Sequence, residues 1–122
     1  MISTLRQKYT HLYGKNVNVE EMDNRFLSLT SDHKALFGKD NPMIFSASGR
    51  TEIAGNHTDH NLGLVIGASI NLDTIAAVTK RDDMIVNFCS EGFPKCTIDI
   101  SDLEIKEEEK NTTASLLRGV AK

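Results

Sequence analysis

Between Gly49 and Gly63 the chain reads GRTEIAGNHTDHNLG, a stretch that gathers Arg50, Glu52, Asn56, His57, Asp59, His60 and Asn61. Three kinds of site use side chains of these types. A metal site is the first, since histidine and carboxylate are ligand types and His57, Asp59 and His60 stand close in sequence. In an extended strand, however, positions 57 and 59 share a face and 60 points to the other. No second cluster supports the trio, because His11 and His33 fall in predicted helices. No metal is therefore assigned. A polyol site is the second. Asn56 and a neutral His57 can both donate and accept, and Asp59 supplies the paired acceptor that a vicinal diol needs. Arg50 adds a fixed positive charge able to stabilise negative charge on a reacting oxygen or a phosphoryl group. The third reading is a solvated surface loop, for which such polar residues are ordinary. Gly49, Gly55 and Gly63 punctuate the run and suit it to tight turns and close backbone approach.

The elements around this run must position it. Ile2, Leu5, Tyr9 and Leu12 recur at helical spacing, and Gly14 can end that helix. Met22, Phe26, Leu29 and either Leu36 or Phe37 mark a second helix, closed by Gly38, with Phe26 and Phe37 as core. Residues 1–40 thus form a helical lead-in. From 43 to 100 the pattern is strand-rich. MIFSAS, GLVIGASI and DTIAAVTK read as strands, and KRDD reads as the turn of a hairpin joining TIAAVTK to MIVNFCS. CTIDI alternates like a further strand, and EIKEEEK reads as a solvated charge cluster. Residues 111–122 read as the start of a helix, with Asn111, Thr112 or Thr113 as N-cap and Ala114, Leu116, Leu117, Val120 and Ala121 as its apolar face. The fold class is α+β: a mixed, mostly antiparallel sheet with flanking helices.

At 122 residues the chain suits one domain able to bury a core, and its 39% hydrophobic and 25% charged content is ordinary for a globular protein. A net charge of −3 argues against nucleic acid as a partner, since phosphate backbones want a basic face. No apolar run approaches the ~20 residues that cross a bilayer, so no membrane is expected. Cys89 and Cys96 do not have metal-motif spacing, and the N-terminus carries no secretory pattern. Reduced thiols and a cytoplasmic location are the expectation.

The stretch SASGRTEIAGNHTDHNLGLVIGASINLDTIAAV resembles the N-terminal signature of the galactokinases, which belong to the GHMP small-molecule kinases. The family pattern runs Pro-Gly-Arg, then Val-Asn-Leu-Ile-Gly-Glu-His-Thr-Asp-Tyr-Asn, then a strand ending near an aspartate. Gly49, Arg50, Gly55, His57, Thr58, Asp59 and Asn61 match in register, and Leu72-Asp73-Thr74 fits the strand end. The upstream helices with LFG, and NTTASLLRGVA, fit the family's lead-in and the helix after its strands.

The resemblance implies the N-terminal, galactose-binding part of an enzyme that transfers the ATP γ-phosphoryl to the C1 hydroxyl of galactose with Mg2+. N-acetylgalactosamine kinase and a non-catalytic sugar sensor share the pattern and stand as alternatives. By this resemblance Arg50 lies at the reacting hydroxyl, while Asn56, His57 and Asp59 contact the sugar. Asn56 departs from the family's glutamate, keeping an acceptor but losing the charge; Ser48, Glu52 and His60 depart as well. The family's phosphate loop and catalytic aspartate have no counterpart in these residues. The segment alone is therefore expected to be inactive and to hold neither ATP nor Mg2+, and an exposed apolar sheet face is expected to favour oligomers.

Overall fold

The computed structural model describes residues 2–55 and 58–122, and of Ile2 and Asp59 the backbone alone. The chain divides into two compact units, residues 1–79 and 80–122.

The first unit opens with α1 (Ile2–Tyr13), closed by Gly14 at φ 91°, whose amide donates to the Thr10 carbonyl. Helix α2 (Val19–Phe37) begins at Asn18, whose side-chain oxygen accepts from the Glu21 amide at 3.2 Å. Glu20 and Glu21 place negative charge at its positive end. Gly38, left-handed at φ 65°, ends it by donating to the Lys34 carbonyl. The helices join at a stacked pair, Tyr9 and Phe26, with ring centroids 5.7 Å apart and both rings almost fully buried. Burying one ring of this size is worth about 2 kcal/mol. Beside the rings Asp23 accepts from Arg6 and from the Tyr9 hydroxyl. Burial, then the bond to Asp23, pushes the Tyr9 hydroxyl up to about 12.

The periodicity of α1 predicted Leu12 on the packed face. It is exposed, and Tyr13 is half-buried in its place. The reason is chemical: the Tyr13 hydroxyl donates to the Asp73 carboxylate at 2.7 Å, a bond leucine could not make. Phe37 is only half-buried, its ring tilted against buried His33 at 5.2 Å.

Strands β1 (Met43–Ala54) and β2 (Ile66–Val78) form an antiparallel ladder from Met43↔Val78 to Ala54↔Ile66. The two strands read from GLVIGASI and DTIAAVTK are thus one, starting at Ile66 rather than Gly63. Along β2 the burial alternates: Asp73, Ile75 and Ala77 are covered, while Leu72, Thr74, Ala76 and Val78 are exposed. The uncovered face also carries Met43, paired with Val78, and Phe45, paired with Ala76.

In the second unit β3 (Ile85–Phe88) and β4 (Cys96–Asp99) pair antiparallel, from Ile85↔Asp99 to Phe88↔Cys96. The hairpin expected around KRDD is therefore not formed, since β2 pairs with β1 and β3 with β4. The charged turn instead closes on itself through an Arg81–Asp83 ion pair. β3 spans four residues against thirteen in β2, so its match to β4 supplies all the register it can use. Both ladders are antiparallel and each is flanked by helix, which makes the chain α+β.

Helix α3 (Thr113–Ala121) is capped by Thr112, the middle of the three candidates, through its hydroxyl and the Ser115 amide. Its apolar face is not its anchor: Leu116 and Val120 are exposed, and the buried residue is Arg118. Arg118 donates to both carboxylate oxygens of Glu109, at 2.9 and 2.7 Å, and to the carbonyls of Asp99 and Asp102. The acidic cluster read as merely solvated thus supplies the counter-ion of a buried arginine, and the Arg118 hydrogen bond holds the Glu109 carboxyl below its usual range.

Candidate functional site

Arg50 sits on β1 just past an irregularity in the ladder. Between the pairs Ser48↔Asp73 and Arg50↔Ser69, β1 advances through one residue, Gly49, while β2 advances through three. This is a bulge on β2, the kind of device that re-aims a strand beside a site. Gly49 is the residue that lets it close. A Cβ there would lie 3.1 Å from the Leu72 carbonyl oxygen and 3.1 Å from the Ile70 side chain. The Arg50 side chain is exposed and makes no hydrogen bond or ion pair with another described residue. Its guanidinium thus carries a positive charge with no partner among the described residues, just past the bulge in the ladder.

A short loop follows. β1 ends at Ala54, and Gly55 turns the chain at φ 117°, a conformation that suits glycine alone. The Thr58 amide donates to the Gly55 carbonyl at 3.1 Å. The Thr58 carbonyl in turn accepts from Asn61 at 2.9 Å and from Gly63 at 2.8 Å. Asp59–Asn61 forms a single 3-10 turn, in which the Asn61 amide group lies 3.2 Å from His60 Nε2. Leu62, left-handed at φ 63°, carries the chain back toward β2. Asp59 is therefore placed by its backbone in this turn, whereas Asn56 and His57 lie outside the described residues. Among the described residues no group of three histidine, cysteine or acidic side chains is gathered as a metal-ligand set.

Beneath the ladder lies a cluster that sequence reasoning did not assign. Asp73, matched above only as the end of an apolar strand, is 4% exposed in its side chain. It accepts from the Tyr13 hydroxyl, from Arg25 Nη1 at 2.5 Å and from the Ser46 hydroxyl; Arg25 Nη2 also donates to the Asp73 carbonyl at 2.8 Å. Burial alone would push this carboxyl up. The bonds from Ser46, Arg25 and Tyr13 outweigh it and hold the group below the usual carboxylate range. One carboxylate thereby ties α1, α2 and β1 to β2, in the residue pair that borders the bulge on the side away from Arg50. The available signal was a lone acid within INLDTIAAV, since an ionised side chain on a packed face needs partners.

The second unit has a cavity of about 270 Å3, lined by Leu103, Ile105, Lys106, Lys110, Arg118 and Lys122 among others. The Arg118 donors facing it are already engaged by Glu109 and two carbonyls, so its charge is committed to anchoring α3. No helix among the described residues is long and apolar enough to cross a membrane.

Comparison with known proteins bears on the same stretch. The family model described as the galactokinase galactose-binding signature matches residues 31–80. A galactokinase of Clostridium tetani is 32% identical over 90% of this chain and 26% of its own length. One of Clostridium perfringens is 40% identical over 70% of this chain and 22% of its own, and one of Streptococcus suis is 35% identical over 67% and 19%. The chain thus spans about a quarter or less of the length of the curated relatives it matches. No solved structure matches.

Proposed function

This chain belongs to the galactokinase family, and from that premise we propose that it forms the sugar-gripping segment of an enzyme that phosphorylates galactose at its C1 hydroxyl. The observation that carries the reading is Arg50: an exposed guanidinium without a described partner, on a bulged strand that leads into the polar loop. A fixed, always-charged donor fork in that position suits the oxygens of a phosphoryl group in transfer. Asp59, as a carboxylate, accepts from two ring hydroxyls, and a neutral His57 and Asn56 complete the donors and acceptors around the sugar. ATP with Mg2+ supplies the phosphoryl group in the complete enzyme. Among the residues of this chain only Arg50 is assigned to face it, because GLVIGAS lacks the lysine of a phosphate-binding loop.

Two measurements test the proposal. Galactose titrated into 15N-labelled chain should shift the amides of residues 50–63, and glucose should shift them less. An ATP-coupled assay on the 122-residue chain alone should give no turnover. Absence of galactose-dependent shifts would remove the sugar-binding assignment, and turnover by the chain alone would show that phosphate binding and the catalytic base have been placed wrongly.

A further inference from the structure

The loop between the two strands is closed by two glycine contacts that differ in kind. At Gly55 the backbone is left-handed, and a Cβ would lie 2.7 Å from the Val65 Cα and 2.8 Å from the Leu64 carbonyl oxygen. Gly63 has no such backbone requirement. A Cβ there would instead lie 2.5 Å from the Thr58 Cβ and 2.8 Å from its carbonyl oxygen, and would also meet its hydroxyl. The carbonyl it would strike is the one that accepts from both Asn61 and Gly63. Thr58 and Gly63 thus form a pinch in which the absence of a side chain at 63 permits two backbone hydrogen bonds across the loop.

We infer that Gly63 is a positioning residue for sugar recognition, acting through Thr58 to hold the Asp59–Asn61 turn in place. The inference rests on the sugar-binding role proposed for that loop. A methyl at 63 must push the Thr58 backbone away, because two of the atoms it meets are not the far end of a flexible side chain. The Asn61 and Gly63 amides then lose their acceptor. The rest of the ladder is untouched, so the effect belongs to the loop rather than to the fold.

The test compares Gly63→Ala with Gly67→Ala in the 122-residue chain. Gly67 receives the same methyl four residues on, where its nearest neighbour is the Thr51 carbonyl oxygen at an ordinary 3.7 Å. Gly63→Ala should weaken galactose binding at least tenfold with the thermal midpoint retained, and Gly67→Ala should bind as the unaltered chain does. Equal affinity in Gly63→Ala and the unaltered chain would overturn the inference. Amide hydrogen exchange reads the pinch without any sugar: the Asn61 and Gly63 amides should exchange at least tenfold faster in Gly63→Ala, and unchanged rates would overturn it. If the unaltered chain binds no galactose while this acceleration is seen, the sugar assignment fails and the pinch stands.

Discussion

Replacing Arg25 with methionine removes the one charged partner that the described residues give the Asp73 carboxylate, while keeping a long apolar stem. Asp73 would remain 4% exposed, with only the neutral hydroxyls of Tyr13 and Ser46 donating to it. Breaking a buried ion pair from one side costs about 3–5 kcal/mol, and the 32% exposure of Arg25 favours the lower end of that range, about 3 kcal/mol at pH 7. The unit that contains the pair spans residues 1–79. For a domain of such size each kcal/mol moves the thermal midpoint by about 4–8 °C, so a loss of about 12–24 °C is expected. The pH dependence sharpens the test. In the unaltered chain the Asp73 carboxyl lies below its usual range. Its stabilising contribution is then complete above the unfolded value near pH 4 and is lost as pH falls through the lower folded value. In Arg25→Met, burial is opposed by fewer bonds and the carboxyl moves up, so the variant is relieved as Asp73 takes up a proton. The gap between the two proteins should narrow from pH 7 toward pH 3. Circular dichroism at 222 nm follows it, since α1 and α2 both lie in this unit. A midpoint change under about 4 °C at pH 7, or a gap that does not vary with pH, would refute the reasoning.

Further outcomes follow from the same arguments. Arg50→Ala should leave unfolding within about 0.5 kcal/mol, as exposed substitutions do, yet abolish galactose phosphorylation in an enzyme that contains this segment; a destabilised protein or a retained kcat would contradict its placement. Asn56→Glu should tighten galactose binding in calorimetric titration if charge at that position matters, and unchanged affinity would show that an amide suffices. Arg118→Met strands Glu109 and the carbonyls of Asp99 and Asp102, and urea unfolding should register a loss of about 3 kcal/mol; a neutral result would mean that α3 is held otherwise. Phe45→Ser, on the uncovered sheet face with Met43, Leu72 and Val78, should reduce self-association measured by light scattering. A monomeric parent chain would remove that expectation.

What the sequence by itself determined is what depends on neighbours along the chain. Helix ends came from Gly14 and Gly38, because left-handed turns are local chemistry. The extent of the strand-rich region came from the change of period at Met43, and the family came from the residue order of Gly49–Asn61. Only the tertiary structure decided which strands pair, since the KRDD turn is equally compatible with a hairpin or a break, and ladder length chose β1 for β2. It also decided that Tyr13 rather than Leu12 faces the sheet, and that Arg118 rather than Leu116 or Val120 anchors α3. In both cases a hydrogen bond to a distant carboxylate overrode hydrophobic spacing. Asp73 is the plainest example. Its identity could be read along the strand, but its role depends on Tyr13, Arg25 and Ser46, drawn from three other elements. A buried charge takes its meaning from the partners that the fold brings to it.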